Sequence, residues 1–355
     1  MVPQRLLPAP GGRFAVGVRT WPTDGIPQCR LSTKLWYPAQ SGAAAEATPP
    51  RYDAGAPLWS TRHWVRLDAV ENAALAEAAE PWPVLLFFPG WEGGLNDNTA
   101  LVQDLASRGF VVVAVGYDDG TCAGLRPEDR PVLDLGTASG FARTQAVAQA
   151  RMARIAQGAT RIVDAVVALD GPQAPAGLAG RLDLSRVAAV GHSFGGAVAI
   201  ALCGRDRRIS AGVNIDGWMF GAGDAPGFGQ SLLVVDSGNM PAPPADLESM
   251  DPVRRHTAIL EVADAAWLAS AVKSGRGEHV PLPGTRHEYF ADYPYLGWRA
   301  VLRGGSGGNR AVGRAAEAVT AFLTRVWSDR PGDAAPAADP EAEAPSHPAR
   351  LRVSP

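Results

Sequence analysis

Cysteine is nearly missing from this sequence. Three occur in 355 residues, Cys29, Cys122 and Cys203. They are far apart and odd in number, so neither a metal-ligand spacing nor a disulfide framework is visible. Cys203 falls in an apolar helical stretch and reads as a small buried hydrophobe. Charge is sparse as well: 19% of residues are charged and the net charge is −3. No basic footprint exists, so nucleic acid is not expected as a partner. Long apolar runs are also lacking. No window approaches the roughly 18 apolar residues of a membrane span, and Met1–Pro8 has no apolar core of signal-peptide length. A cytoplasmic chain with no transmembrane segment is expected. No internal repeat is visible, and nothing in the sequence fixes an oligomeric state.

What is present is material for a large core, at 46% hydrophobic residues. The 40 Gly and 30 Pro, with abundant Ala and Arg, look like the coding bias of a GC-rich genome and carry no functional signal. Strands are expected at Phe14–Trp21, Leu31–Tyr37, Pro83–Phe88, Phe110–Val115, Arg186–Val190, Ile209–Ile215, Ser231–Val235 and, short and last, Glu278–Leu282. Helical patterns cover Thr99–Ser107, Gly140–Leu169, Ala197–Cys203, Asp251–Lys273 and Arg310–Trp327. Residues 38–60 read as a loop. This alternation gives an α/β fold, a mostly parallel sheet with helices on both faces, over residues 1–330. Residues 331–355, rich in Pro, Ala and Glu, have too little to bury and read as a disordered tail.

The most informative stretch is Gly191-His-Ser-Phe-Gly195. It is G-x-S-x-G at the exit of a buried strand and the entry of an apolar helix, the context of the α/β-hydrolase nucleophile elbow. A serine on so sharp a turn needs neighbours without side chains, hence Gly191 and Gly195, and Gly196 lets the helix pack close to the sheet. Ser193 is the expected nucleophile.

An activated serine needs a base, and the base needs an orienting carboxylate. His287 lies in a loop just beyond the last expected strand, where the fold places its base; His279, within that strand, is the alternative. His256 falls in a helix and His347 in the tail. Two aspartates compete for the acid. Asp216 follows the strand Ile209–Ile215 directly, and Asp236 follows the next strand, where most α/β-hydrolases carry theirs. The loop after Asp236 holds Asn239 where a carboxylate would be expected, which favours Asp216, and Asp236 then reads as a turn former before Ser237-Gly238. The oxyanion hole needs two backbone N–H groups. Phe194 supplies one, and Trp91 in Phe88-Pro-Gly-Trp-Glu-Gly-Gly94 offers the other. Tyr117-Asp118-Asp119 falls on the same sheet edge, as a substrate contact or a loop cap.

Four segments together resemble the platelet-activating factor acetylhydrolase family of serine esterases. They are Phe87-Phe-Pro-Gly-Trp91 with Leu105–Val115, Asp183–Gly196, Asn214-Ile-Asp-Gly-Trp-Met-Phe220, and Gly284–Asp292. The early aspartate segment discriminates best, because dienelactone hydrolases and cutinase-like polyesterases carry their acid later. Pro89 departs from the family, in which many members have His before the Gly. The resemblance implies a Ser193, Asp216, His287 triad, Trp91 and Phe194 as oxyanion donors, and hydrolysis of short or medium acyl esters without a metal or organic cofactor. Small-molecule or lipid esters are the implied substrates. Trp218, Met219 and Phe220 read either as an apolar substrate pocket or as core. A general carboxylesterase, a dienelactone hydrolase-like enzyme and a polyester hydrolase are the alternatives within the class. A catalytically inactive binding module is the alternative outside it.

Overall fold

The computed structural model describes residues 5–21, 31–40, 42, 50–53, 60, 62, 65–91, 93–117, 133–171, 177–223, 228–238, 241–296 and 308–328. Its strands are β1 (Arg5–Leu6), β2 (Ala15–Thr20), β3 (Leu31–Ala39), β4 (Val65–Arg66), β5 (Val70–Glu71), β6 (Trp82–Phe88), β7 (Val111–Tyr117), β8 (Leu182–His192), β9 (Ala211–Ile215), β10 (Ser231–Asp236) and β11 (Gly277–Pro281). The helices are α1 (Thr99–Ser107), α2 (Ala138–Ala168), α3 (Phe194–Arg205), α4 (Pro252–Lys273), α5 (Tyr293–Leu296) and α6 (Gly308–Ser328). Among the described residues nine strands form one sheet in the order β11-β10-β9-β8-β6-β7-β3-β2-β5. Only the β2–β3 and β3–β7 pairs are antiparallel. This is an α/β-hydrolase sheet, with the elbow strand β8 next to its central strand β6.

The strands are apolar on successive residues because both faces of the sheet are covered. Val84, Leu86 and Phe88 face one helical layer, and Leu85 and Phe87 face the other. On the first side lie α2, α3 and α4; on the second lie α1 and α6. Local chemistry starts the helices. The Thr137 side chain accepts the Gly140 N–H at the start of α2, and Asp251 accepts the Val253 N–H ahead of Pro252 at the start of α4.

Residues 38–60 are not all loop, since β3 runs on through Pro38 and Ala39. The β3–β7 ladder ends at Trp36, so Pro38 needs no donor on that side, as proline in a sheet requires. Residues 331–355 and Asn239 lie outside the described residues.

Register fixes where the chemistry can gather. His192 on β8 pairs with Ile215 on β9, and Ile215 pairs with Val235 on β10. Ser193, Asp216 and Asp236 are each the next residue, so three candidate groups emerge side by side at the carboxyl edge of the sheet.

Candidate active site

Ser193 has φ 56° and ψ −128°, a backbone state few non-glycine residues adopt. Its neighbours enforce the turn. A Cβ on Gly191 would stand 2.0 Å from the Gly195 carbonyl oxygen, and one on Gly195 would stand 2.1 Å from that of Phe88. The Ser193 N–H donates to the Ile215 carbonyl at 2.8 Å, which ties the elbow to β9. Helix α3 begins at Phe194, so its open amino end lies beside the serine.

His287 opens a short 3-10 turn, His287–Phe290, beyond β11. Its Nδ1 lies 2.9 Å from Asp216 Oδ2. The carboxylate is 6% exposed, whereas the imidazole is 51% exposed. Asp216 itself has φ 55°, and its Oδ1 accepts the Ser237 N–H at 2.6 Å. Burial alone would push this carboxyl up. The His287 bond and the Ser237 N–H outweigh burial and hold it below the usual carboxylate range. Asn214, fully buried, shapes the same loop: its Nδ2 donates to the Gly217 carbonyl at 2.8 Å and its Oδ1 accepts the Gly217 N–H at 2.9 Å.

The loop carrying His287 is fastened to the start of α1. The Asp292 carboxylate accepts the Thr99 and Ala100 N–H groups at 2.6 and 3.0 Å, and Asn98 donates to the Phe290 carbonyl at 2.9 Å. Burial pushes the Asp292 carboxyl up to about 7 despite those bonds.

The competing residues go elsewhere. His279 Nε2 meets Asp236 Oδ2 in a short contact, so the second aspartate has its own imidazole one strand further out. Asp236 also accepts the Gly238 N–H at 2.5 Å, the turn chemistry expected of it. His256 is buried in α4, stacked on Phe141 with its Nδ1 2.7 Å from the Leu135 carbonyl. Cys203 is buried, and burial pushes its thiol pKa up. Cys29, Cys122, Asp118 and Asp119 lie outside the described residues.

The second candidate donor sits close to Ser193. A Cβ on Gly90 would stand 3.9 Å from Ser193 Oγ, so the loop with Trp91 packs against the elbow. The Trp91 and Phe194 rings meet edge to face at 4.7 Å, Phe194 and Phe220 at 6.3 Å, and Phe220 and Trp218 at 6.1 Å. This aromatic wall leads away from the serine. Trp218 is half-buried on it, whereas Met219 turns inward, its N–H held by Asp264 at 2.8 Å and its Sδ 3.0 Å from Asn214 Nδ2.

His192 is legible in the sequence only as the variable residue of the elbow. It is 3% exposed, its ring is 4.8 Å from that of His287, and its Nε2 lies 3.2 Å from the His287 carbonyl oxygen. Burial, then repulsion from His287, lowers its pKa to about 3. The ring is therefore neutral, and because a carbonyl can only accept, Nε2 carries the proton. Among the described residues no group of three or more His, Cys, Asp or Glu is arranged to hold a metal, and no helix is long and apolar enough to cross a membrane.

The sequence profile of platelet-activating factor acetylhydrolase, isoform II, matches residues 143–324, about half of the 355-residue chain. The chain belongs to that family. It is accordingly a carboxylic ester hydrolase. The matched stretch contains Ser193, Asp216 and His287; the loop with Trp91 precedes it. Platelet-activating factor acetylhydrolase of Bos taurus is 23% identical over 364 aligned positions, covering 91% of this chain and 77% of the bovine protein. That of Cavia porcellus is 28% identical over 177, covering 45% of this chain and 40% of its own length. Among solved structures, a ferulic acid esterase from Streptomyces cinnamoneus shares the fold, with a TM-score of 0.59 and 23% identity over 93% of this chain and 97% of that one.

Proposed function

We propose that this chain is a serine esterase working by two-step acyl transfer with Ser193 as nucleophile, His287 as base and Asp216 as its orienting acid. The observation that carries the reading is the 2.9 Å bond from His287 to a buried Asp216, at the sheet edge where Ser193 occupies a strained elbow. Asp216 holds the His287 proton on Nδ1, which leaves Nε2 to accept the Ser193 proton as Oγ attacks the ester carbonyl. The Trp91 and Phe194 N–H groups receive the developing oxyanion. As the intermediate collapses, the bond to the leaving oxygen breaks and His287 returns the proton to the departing alcohol. Water, deprotonated by His287, then attacks the acyl-enzyme, and acid and free Ser193 result.

For substrate we propose esters with short or medium acyl chains, as the relatives' name suggests. The aromatic wall from Phe194 to Trp218 supports an apolar acyl site, with Phe220 as its floor and Met219 behind it. General carboxylesters and polyesters share the same chemistry and differ only in how that wall is filled. An inactive binding module would have no use for a strained serine on the sheet edge where a buried aspartate orients an imidazole.

Ser193→Ala should abolish ester turnover and fluorophosphonate labelling while leaving the thermal transition unchanged. Labelling that persists at another serine in this variant overturns the assignment.

A further inference from the structure

Arg151 lies on α2 and is 1% exposed. Arginine is rarely buried so completely unless it is paired. Here its Nη1 donates to the Trp91 carbonyl oxygen in a short bond. Its Cζ stands 5.0 Å from the centre of the Trp91 ring, 5.2 Å from Tyr117 and 5.3 Å from Phe194. Each distance is within the range of cation–π attraction. Two of those rings belong to the residues assigned as oxyanion donors.

The third ring works on the same loop. Tyr117 Oη donates to the Pro89 carbonyl at 2.9 Å, and the Tyr117 N–H donates to the Gly93 carbonyl at 2.9 Å. The Gly93 N–H closes the turn on the Gly90 carbonyl at 3.1 Å. The carbonyls of residues 89, 90, 91 and 93 are therefore all held by donors, and Arg151 supplies the one at 91. The Trp91 N–H shares a peptide plane with the Gly90 carbonyl, which Gly93 holds, and Arg151 holds the adjoining plane through the Trp91 carbonyl, so rotation about Trp91 is opposed from both sides. The direction of that N–H matters, because an oxyanion donor must stand about 2.7–3.1 Å from where the negative oxygen forms.

We propose that Arg151 is a positioning residue of the oxyanion hole, holding the Trp91 carbonyl and stacking the Trp91 and Phe194 rings so that both backbone donors stay aimed at the tetrahedral intermediate. The proposal rests on the esterase reading and on Trp91 and Phe194 as donors.

The test uses the full chain with three substitutions, Arg151→Met, Arg151→Lys and Tyr117→Phe. Each preparation is titrated to completion with a fluorophosphonate, and rates are expressed per titrated site. Measured are kcat and KM on p-nitrophenyl butyrate and the affinity for a trifluoromethyl ketone, whose hemiketal with Ser193 places an oxyanion in the hole. Arg151→Met should lower kcat about 10²-fold, near the low end for loss of one donor, with KM within about twofold. Ketone affinity should fall in parallel with kcat/KM. Arg151→Lys keeps a cation but loses the planar fork, and should fall between the two. Tyr117→Phe frees the Pro89 carbonyl and should give the same pattern at about tenfold.

Normal kcat and ketone affinity per titrated site, with only the melting temperature lowered, overturn the proposal, as does a change confined to KM. If Arg151→Met does not fold, the other two variants decide by the same criteria. A wild-type protein that fluorophosphonate does not label at Ser193 overturns the esterase reading, and this proposal with it. An active, labelled wild type with unaffected variants overturns this proposal alone.

Discussion

Replacing Asp216 by Asn changes the site by one atom type, and its effect can be worked out from two bonds. Asp216 Oδ1 accepts the Ser237 N–H at 2.6 Å, and Oδ2 faces His287 Nδ1 at 2.9 Å. In the Asn variant only the amide oxygen can satisfy the Ser237 N–H, so the NH₂ must face His287. An NH₂ donates, and Nδ1 must then accept, which moves the imidazole proton to Nε2. A protonated Nε2 cannot take the proton of Ser193. Turnover should therefore fall by about 10⁴, roughly 5 kcal/mol of transition-state stabilisation, with little change in KM. Asp236→Asn should cost no more than about tenfold, because its partner is His279. Initial rates on p-nitrophenyl acetate, per titrated site, compare the two. If Asp236→Asn loses 10⁴ while Asp216→Asn is nearly silent, the acid comes from β10 and the reasoning fails.

His192 makes a prediction about acid stability. An unfolded histidine takes its proton near pH 6.5, whereas buried His192 resists until about pH 3, so stability falls as pH drops through that window, by up to about 5 kcal/mol. His192→Gln should flatten the fall between urea melts at pH 7 and pH 4.5, and an unchanged difference refutes it. Asn214→Asp should cost about 3 kcal/mol in a urea melt at pH 7, because a buried carboxylate would replace the NH₂ that donates to the Gly217 carbonyl; a loss under about 1 kcal/mol contradicts this. On p-nitrophenyl esters, kcat/KM should rise about fourfold per methylene, the worth of about 0.8 kcal/mol each, from acetyl to about butyryl or hexanoyl, then fall. Trp218→Ala should flatten that rise and spare acetyl turnover; a flat wild-type profile means the aromatic wall packs only against the core.

The sequence exposes this fold readily where burial is two-sided. Runs such as Val111–Val115 and Leu85–Phe88 are apolar throughout because helices cover both faces of their strands. The two-residue strands β1, β4 and β5 leave no such trace, since two residues carry no period. The elbow is legible because its glycines answer a local steric demand. His192 and Arg151 are legible only in part, because their partners come from elsewhere in the chain: the His287 carbonyl is 95 residues from His192, and the Trp91 carbonyl is 60 residues from Arg151. One local sign of Arg151 does exist. The buried stripe of α2 runs Thr144, Ala148, Arg151, Ile155 and Ala159, and a cation on an apolar stripe at helical spacing needs a partner.

A second aspartate–histidine pair stands one strand outward from the proposed Asp216–His287 pair. Most α/β-hydrolases carry the acid after the strand that is β10 here, and Asp236 still stands there, 1% exposed. A carboxylate so deeply buried is costly unless paired, and the edge strand β11 supplies the partner, since His279 lies on it opposite Val234. The pairing has a consequence for the site. With Oδ2 engaged by His279, Asp236 turns Oδ1 to the Gly238 N–H, and this closes the turn at Ser237-Gly238. The Ser237 N–H from that turn is what fixes Asp216 Oδ1. His279 and Asp236 thus stand behind the bond that would give the new amide of Asp216→Asn its one orientation. That is why Asp236→Asn should weaken catalysis slightly where Asp216→Asn nearly ends it.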